Sequence, residues 1–337
     1  MAGIANETSD YDDGTGSYPV LESSFSKKFK FSFLLACLIP STICSLTLFY
    51  YFIRLSELHR KRHNYVIICL LVCNFLIATT ELPVTLTYIH FDQLVPPSSS
   101  LCFYWIFMNY LLFPTSGWIM AIASLQRYFF IFHKQFINTH LKHYLPIALP
   151  PILLFIWYTA LIFFYPCQQF FDYTQLWCIG ACYVFEGTIG TIDWILSSLV
   201  PVILTIVFNI VLCVRVVYQK YKMHRGRTWR TTRKLALQIF MISFLFLGIY
   251  LPLTLFGLIR LWFDPMFLLV LTMVYFAYIV YLVPLLMPFI CLISMPEITA
   301  KIKRTLHPGT RIEPTLFQQL PLTMITRRHM QVQNARI

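Results

Sequence analysis

Seven long apolar segments constrain the fold of this chain more than any other feature of its sequence. Each contains about 20 apolar residues, which match the hydrocarbon thickness of a bilayer. Because lipid offers the backbone no hydrogen-bond partners, such segments are helical. A composition with 58% hydrophobic and 12% charged residues also agrees with a membrane protein. The sequence therefore predicts an all-α seven-transmembrane helix bundle, with spans at 31–53, 65–89, 101–133, 144–165, 190–218, 235–261 and 266–294.

The basic residues indicate how these spans are oriented. The net charge of +12 could suggest nucleic acid, but the cations lie beside apolar segments, where they set topology. With the C-terminus inside, the only cations left outside are Lys27, Lys28, Lys30 and Arg260. The three lysines before the first span oppose the positive-inside rule, but the total bias places the N-terminus outside. We expect a multi-pass plasma-membrane protein in contact with membrane lipids and with no nucleic-acid partner.

The two ends of the chain differ from the spans and from each other. Residues 1–30 are expected to be an extracellular tail. Residues 1–26 of it are polar and acidic and lack the apolar core of a signal peptide, so the first helix must direct insertion. Asn6 begins an Asn-Glu-Thr sequon for N-glycosylation.

After the seven-helix domain (31–294), Ile298, Ile302 and Leu306 recur every four residues with cations between them. This pattern predicts an amphipathic helix over 295–306 on the inner membrane surface, with a frayed tail as the alternative. Residues 307–337 are expected to be a disordered cytoplasmic tail.

Four cysteines fall at the outer face, where oxidation is allowed: Cys102, Cys167, Cys178 and Cys182. Four cysteines permit three pairings. The preferred prediction is Cys102–Cys182 with Cys167–Cys178, which leaves no free thiol. The alternative that remains open is Cys102–Cys178.

Short motifs follow one another along the spans. They are Leu70-Leu71-Val72-Cys73-Asn74-Phe75-Leu76 in the second, Cys102 and Gln126-Arg127-Tyr128 in the third, Pro201 in the fifth, Phe246-x-x-x-Tyr250-Leu251-Pro252 in the sixth, and Met287-Pro288-Phe289-Ile290-Cys291 in the seventh. In order and spacing they resemble the motifs of the rhodopsin-like (class A) G-protein-coupled receptor family, across residues 30–306. The sequence departs from that pattern at many places, so it is similar to a divergent member. Asn74 and Gln126 stand where the family has acids. Other family residues are replaced by Asn209, Tyr250, Met287 and Cys291.

The resemblance implies a role for each group of residues. It places a switch that contacts a heterotrimeric G protein at Gln126, Arg127, Tyr128, Asn209 and Cys291. It places helix kinks and an aromatic switch at Pro201, Phe246, Tyr250, Pro252 and Pro288. It implies a polar core at Asn74 and Ser116. The candidate pocket for an extracellular peptide or small-molecule agonist contains Glu81, Trp105, Asn109, Tyr250 and Tyr281.

Several of these residues have a plainer reading as well. Arg127 follows a long apolar run, and an arginine there either serves a function or extends its side chain to the membrane surface. Glu81 either faces a water-filled pocket and binds a cationic ligand group, or is protonated or paired within the bundle. Asn74 either takes part in switching or makes a structural interhelical hydrogen bond.

Other classes of protein fit the sequence less well. Tyr281 stands where opsins carry the retinal lysine, and Asn109 replaces the aspartate of amine receptors, which argues against both ligand types. No motif for an enzyme, a metal site or a cofactor is present. A transporter or channel would be expected to show repeated halves or several intramembrane charges, and neither is found. A seven-helix scaffold that no longer couples to a G protein remains the alternative function.

Overall fold

The computed structural model describes residues 23–55, 62–132, 140–222, 227–263, 268, 271–295, 298–299 and 301–302. Seven of its helices are long and apolar enough to cross a membrane, and these residues contain no strand, which confirms the predicted seven-helix bundle. We number the spans in chain order. They are α1 (Ser24–Arg54), α2 (Arg62–Leu76, Ile77–Glu81 and Leu82–Phe91), α3 (Ser99–Phe132), α4 (His140–Thr159 and Ala160–Phe164), α5 (Gly187–Trp194, Ile195–Leu199 and Val200–Lys222), α6 (Arg227–Trp262) and α7 (Thr272–Phe276, Ala277–Ile279 and Leu282–Ser294).

Several helices are longer than the apolar segments that predicted them. Helix α1 begins at Ser24, so residues 24–30 are helical rather than part of an extended N-terminal tail. The segment 220–234, expected to be a loop, contains the end of α5 and the start of α6, and only 223–226 lie outside the described residues. Apolarity marks where a helix lies in lipid and not where it ends, because a polar helix can continue into water.

Two prolines are preceded by a turn with π-helical hydrogen bonds. Such a turn precedes Pro83 in α2 and Pro201 in α5. A proline has no N–H to donate, and its ring clashes with the carbonyl four residues earlier, so the wider turn relieves that clash. In α5 the N–H of Val200 donates to the carbonyl of Ile195. By the same pattern the Leu196 carbonyl would accept from residue 201, but this residue is a proline and has no N–H. The indole N–H of Trp118 in α3 donates to the Leu196 carbonyl instead, at 3.1 Å.

Helix α3 lies at the centre of the bundle. It packs against α2, α4, α5 and α6, while α1 packs against α2 and α7. Cys102, near the start of α3, marks one end of the bundle, which we call the disulfide end. Arg127, near the end of α3, marks the other, which we call the Arg127 end.

Two disulfide bonds join the cysteines at the disulfide end, but the preferred pairing was wrong. Cys102 pairs with Cys178, and Cys167 pairs with Cys182, with Cα–Cα distances of 5.9 and 6.0 Å. The Leu94 N–H donates to the Tyr173 carbonyl at 2.8 Å, which holds this part of the α4–α5 loop beside the start of α3.

A single side chain of the same loop places the other pair of cysteines. The side-chain amide of Gln169 accepts from the Cys182 N–H and donates to the Gly180 carbonyl, both at 2.8 Å. Cys182 is thereby held close to Cys167, which lies two residues before Gln169. The alternative pairing of Cys102 with Cys178 is therefore the one that the structure contains.

Two of the lysines before the first predicted span make contacts within the bundle. Lys27 pairs with Asp92 in the α2–α3 loop at 2.6 Å. Lys30 donates to the Val274 carbonyl of α7, and its ammonium lies 4.5 Å from the centre of the Tyr278 ring. These contacts fix the start of α1 against α2 and α7, so both cations have a structural role besides any effect on topology.

Residues from Met295 onward form a separate unit. Of the predicted amphipathic helix, the structure describes 295, 298–299 and 301–302, and the last four of these residues are helical. The rest of the segment 295–306, and all of 307–337, lie outside the described residues, so the amphipathic helix remains a prediction.

The packing of α5 on α6 depends on the absence of a side chain at Gly257. A Cβ atom there would overlap the ring of Trp194, whereas one at Gly248, in the same helix, would meet nothing within 4 Å. We expect Gly257→Ala to destabilise the protein by about 1–3 kcal/mol through overpacking. The matched Gly248→Ala should be neutral or stabilising by up to about 1 kcal/mol, because alanine favours helix. Thermal unfolding of both variants in nanodiscs measures the difference, and equal melting temperatures would contradict this packing.

Candidate functional site

A cavity of about 340 Å³ lies within the disulfide end of the bundle. Helices α3, α4, α5, α6 and α7 and the α4–α5 loop contribute its walls. Of the predicted pocket residues, Asn109 and Tyr250 line it. Its volume is at the low end of the range of about 300–1,000 Å³ that is usual for ligand sites. Such a cavity accommodates a small organic molecule or the tip of a peptide.

The other three predicted pocket residues form a hydrogen-bonded cluster beside the cavity. Glu81 is fully buried, and its Oε1 accepts from Tyr281 Oη at 2.6 Å, Trp105 Nε1 at 3.1 Å, Asn109 Nδ2 at 3.2 Å and Thr85 Oγ1 at 3.2 Å. Trp105 and Tyr281 are buried as well, and Tyr281 also bonds to Thr85 at 2.9 Å. The cluster joins α2, α3 and α7, and Asn109 connects it to the cavity wall. The geometry favours the reading of Glu81 as a group paired within the bundle.

Residues of three helices meet at the inner limit of the cavity. The rings of Phe246 and Tyr250 in α6 are stacked, with centroids 4.3 Å apart. Gly117 of α3 lies against Phe246 and Pro201, since a Cβ atom there would be 3.5 and 3.8 Å from them. All of these residues line the cavity, so a ligand that reaches them contacts α3, α5 and α6 together.

Sequence reasoning missed Asp193, a buried acid of α5 that lines the cavity. Its Oδ1 accepts from Trp157 Nε1 at 2.9 Å, and its Oδ2 accepts from the Tyr183 hydroxyl at 3.1 Å. Burial and the nearby Asp193 carboxylate raise the pKa of Tyr183, so its hydroxyl stays protonated and can donate. An acid within an apolar span was the signal that could have found Asp193, as it did for Glu81.

Arg260 and Trp177 also line the cavity. The sequence marked Arg260 only as a cation outside the membrane. Trp177 and the two residues after it have positive φ, which turns the loop sharply beside Cys178. Nothing in the sequence predicts that turn, because these residue types rarely adopt the left-handed conformation.

The predicted switch residues of α3 lie at the other end of the bundle. Gln126 and Arg127 are buried, and the Arg215 guanidinium of α5 lies 5.0 Å from the centre of the Tyr128 ring. One turn earlier, Asn209 Nδ2 of α5 donates to Ser124 Oγ at 3.2 Å and to the Thr205 carbonyl at 2.7 Å. The structure therefore brings Asn209 close to this part of α3.

The predicted polar core lies between α2 and α3. Ser116 Oγ donates to Asn74 Oδ1 at 3.4 Å, and Asn74 Nδ2 donates to the Leu70 carbonyl at 2.8 Å. Both residues are buried, as are Met287 and Cys291 of α7. Pro252 and Pro288 lie inside α6 and α7. Asn6 lies outside the described residues, and its glycosylation remains a prediction.

Seven membrane-spanning helices that enclose a cavity at one end define a multi-pass membrane protein with the architecture of seven-transmembrane receptors. The family model described as "7 transmembrane receptor (rhodopsin family)" matches residues 45–291, well over half of the chain, and the chain therefore belongs to this family. This is a family of G-protein-coupled receptors and not of enzymes, so the predicted family and the absence of an enzyme class are confirmed. No curated protein matches the sequence significantly.

We expect removal of the Glu81 carboxylate to destabilise the bundle. Glu81→Ala removes the acceptor that four donors share and leaves the buried Trp105 and Tyr281 with Thr85 Oγ1 as their remaining partner. A buried group that loses its partner costs about 1–3 kcal/mol. Tyr281→Phe removes the two hydrogen bonds of its hydroxyl, to Glu81 and to Thr85, but keeps the Glu81 carboxylate, and should cost about 1–2 kcal/mol. Glu186→Ala is the control, since this exposed acid accepts only from Tyr165 among the described residues. Melting temperatures in nanodiscs check the order, and a Glu81→Ala variant as stable as the control would count against the cluster.

Proposed function

We propose that this protein is a plasma-membrane receptor that binds an extracellular agonist in the cavity at its disulfide end and activates a heterotrimeric G protein at its Arg127 end. The observation that carries the proposal is the position of Phe246 and Tyr250. They line the cavity, and they lie on α6, a continuous helix from Arg227 to Trp262 that reaches the opposite end. A ligand that moves these rings can displace that end of α6, a two-state element that binding can bias.

The agonist is proposed to be a peptide rather than a small molecule. The N-terminal tail contains Glu7, Asp10, Asp12 and Asp13, which suit a partner with basic groups. The α4–α5 loop is held by two disulfide bonds and contributes Trp177 to the cavity. A rigid loop over a small cavity suits a ligand that contacts the loop and inserts only its tip. The alternative agonist is a small molecule that fills the cavity without contacting the loop outside it.

The proposed orientation has the N-terminus and the disulfide end outside the cell. Disulfide bonds persist in the extracellular compartment. The basic ends of α5 and α6 and the cations after Met295 then face the cytoplasm, in agreement with the positive-inside rule and with contact to anionic lipid. Two of the lysines that oppose the rule, Lys27 and Lys30, are engaged by Asp92 and Tyr278.

The second candidate function is a seven-helix scaffold or modulator that does not couple to a G protein. It is favoured by Gln126, which offers no carboxylate to Arg127, and by Met287 and Cys291 at positions where the family has asparagine and tyrosine. The same substitutions have a different consequence in a coupling receptor. Gln126 cannot provide a charged restraint on the resting state, and neither can Thr232, which stands where the sixth helix of the family sometimes has an acid. Basal activity is therefore expected to be high.

Nucleotide exchange on purified G proteins, measured without agonist in receptor nanodiscs, tests this proposal. We expect the wild type to accelerate exchange above the level of empty nanodiscs, and Arg127→Ala to abolish the increase while the protein remains folded. Arg54→Ala, which removes an exposed cation at the same end, should leave exchange unchanged. A wild type that accelerates no class of G protein would favour the scaffold function.

Epitope tags at the two ends of the chain test the orientation. We expect an antibody against an N-terminal tag to bind intact cells, and one against a C-terminal tag to bind only after permeabilisation. Asn6→Gln should also remove a glycan and increase mobility on a gel. If both tags were reached on the same face of intact cells, the odd number of spans and the receptor proposal would both be wrong.

A further inference from the structure

The charged residues that line the cavity are Asp193 and Arg260, within the part of the chain that the structure describes. They come from different helices, α5 and α6, and they differ in how the protein uses them. A ligand with a charged group must be recognised by whichever of the two still has hydrogen-bonding capacity. The next step is therefore to compare their partners.

The acid is already engaged by the protein. Both oxygens of Asp193 accept a hydrogen bond, one from Trp157 and the other from Tyr183, and the residue is 5% exposed. A second acid, Glu81, contacts the cavity-lining Asn109 at 3.2 Å. It is 0% exposed, does not line the cavity, and is separated from it by Asn109. Asp193 is therefore not presented to a ligand as an unused anion, and Glu81, whose Oε2 accepts no hydrogen bond from the described residues, lies outside the lining of the cavity.

The cation is not engaged in the same way. Arg260 lies in the last turn of α6, is only partly buried, and makes no hydrogen bond or ion pair with the described residues. A guanidinium has five N–H donors in a planar fork that matches a carboxylate. A partly buried arginine whose donors are not used by the described residues is a position where a ligand anion gains strong, charge-assisted hydrogen bonds.

The remaining walls decide what the anion is attached to. Among the described residues, seven aromatic side chains line the cavity: Tyr110, Phe113, Tyr158, Trp177, Trp194, Phe246 and Tyr250. Their faces favour an apolar or aromatic body, and the volume of about 340 Å³ limits its size.

We propose that the agonist of this receptor carries a carboxylate on an apolar or aromatic body, and that the guanidinium of Arg260 binds this carboxylate. The inference rests on the proposed function and names the chemistry of its ligand. A small organic acid and the C-terminal residue of a peptide both supply this chemistry. The opposite ligand class, a cationic amine, would find no unused acid among the described residues of the cavity.

Matched probes test the proposal without knowledge of the natural agonist. Apolar carboxylic acids, each with the amide and the amine of the same carbon skeleton, are added to purified protein in phosphatidylcholine nanodiscs. Thermal unfolding reports binding, because a ligand of the folded state raises its stability by mass action. A second arm compares peptides that have an aromatic C-terminal residue with the same peptides after C-terminal amidation, which separates the two sources of the carboxylate.

Variants at one position identify the group that recognises the acid. We expect the acids to raise the melting temperature of the wild type more than their amides and amines do. Arg260→Gln should weaken acid binding by about tenfold or more, and Arg260→Lys should retain the preference for acids at lower affinity. Two control variants should not reduce binding of the acids. One is Lys28→Gln, which removes an exposed cation at the same end, and the other is Asp264→Asn, which changes the residue four positions after Arg260.

The outcomes separate this inference from the proposed function. An equal response to acid, amide and amine, including no response, would overturn the inference, as would an Arg260→Gln variant that binds acids like the wild type. Acids that bind through Arg260 but never change nucleotide exchange would leave the inference standing and count against the receptor function. Amines that stimulate nucleotide exchange would overturn the inference and support the receptor function.

Discussion

The structure depends on one constraint: within a bilayer, each polar group must find its hydrogen-bond partner inside the protein. The helices satisfy their own backbone, and hydroxyl side chains bond back to it, as Thr205 does to the Pro201 carbonyl and Thr254 to the Tyr250 carbonyl. Where a proline removes a donor, another group replaces it. The indole of Trp118 fills this role at the π-helical turn before Pro201, and the same contact fixes α5 against α3.

The same constraint explains why the charged residues of the spans differ in meaning. Glu81 and Asp193 are each surrounded by indole and phenol donors from other helices, so they hold the bundle together. Arg260 lines the cavity without such partners among the described residues. A polar group that accepts or donates several hydrogen bonds within the bundle contributes to stability and specificity of packing, whereas a charged group that lines the cavity without such bonds is available for a ligand. Sequence position alone does not distinguish these cases.

The contrast also defines what could be predicted from the sequence. The seven spans and their order follow from local apolarity. The family follows from motifs such as Cys102 and Gln126-Arg127-Tyr128, which lie on one helix, so that their separation can be read from the sequence. The disulfide pairing could not be predicted, because it depends on the path of the α4–α5 loop, which Gln169 and Tyr173 fix through contacts with distant residues. The placement of Glu81 outside the cavity wall and of Asp193 within it likewise depends on helix rotation, which apolarity leaves open when a span is apolar on nearly every face.

The substitutions in the polar core suggest how the two ends of this receptor communicate. Between the cavity and Arg127, the described α2–α3 contact joins the neutral groups Asn74 and Ser116, and Met287 presents no charge. Because these groups are neutral, a rearrangement of their hydrogen bonds changes the electrostatic energy less than a rearrangement of charged groups would. The contacts that span the same depth are steric: Gly117 fits against Pro201 and Phe246, and Phe246 stacks on Tyr250. Packed interfaces are bistable rather than continuously deformable. Under the proposed function, a ligand in the cavity would therefore shift α6 relative to α3 by rotating this aromatic pair against Gly117.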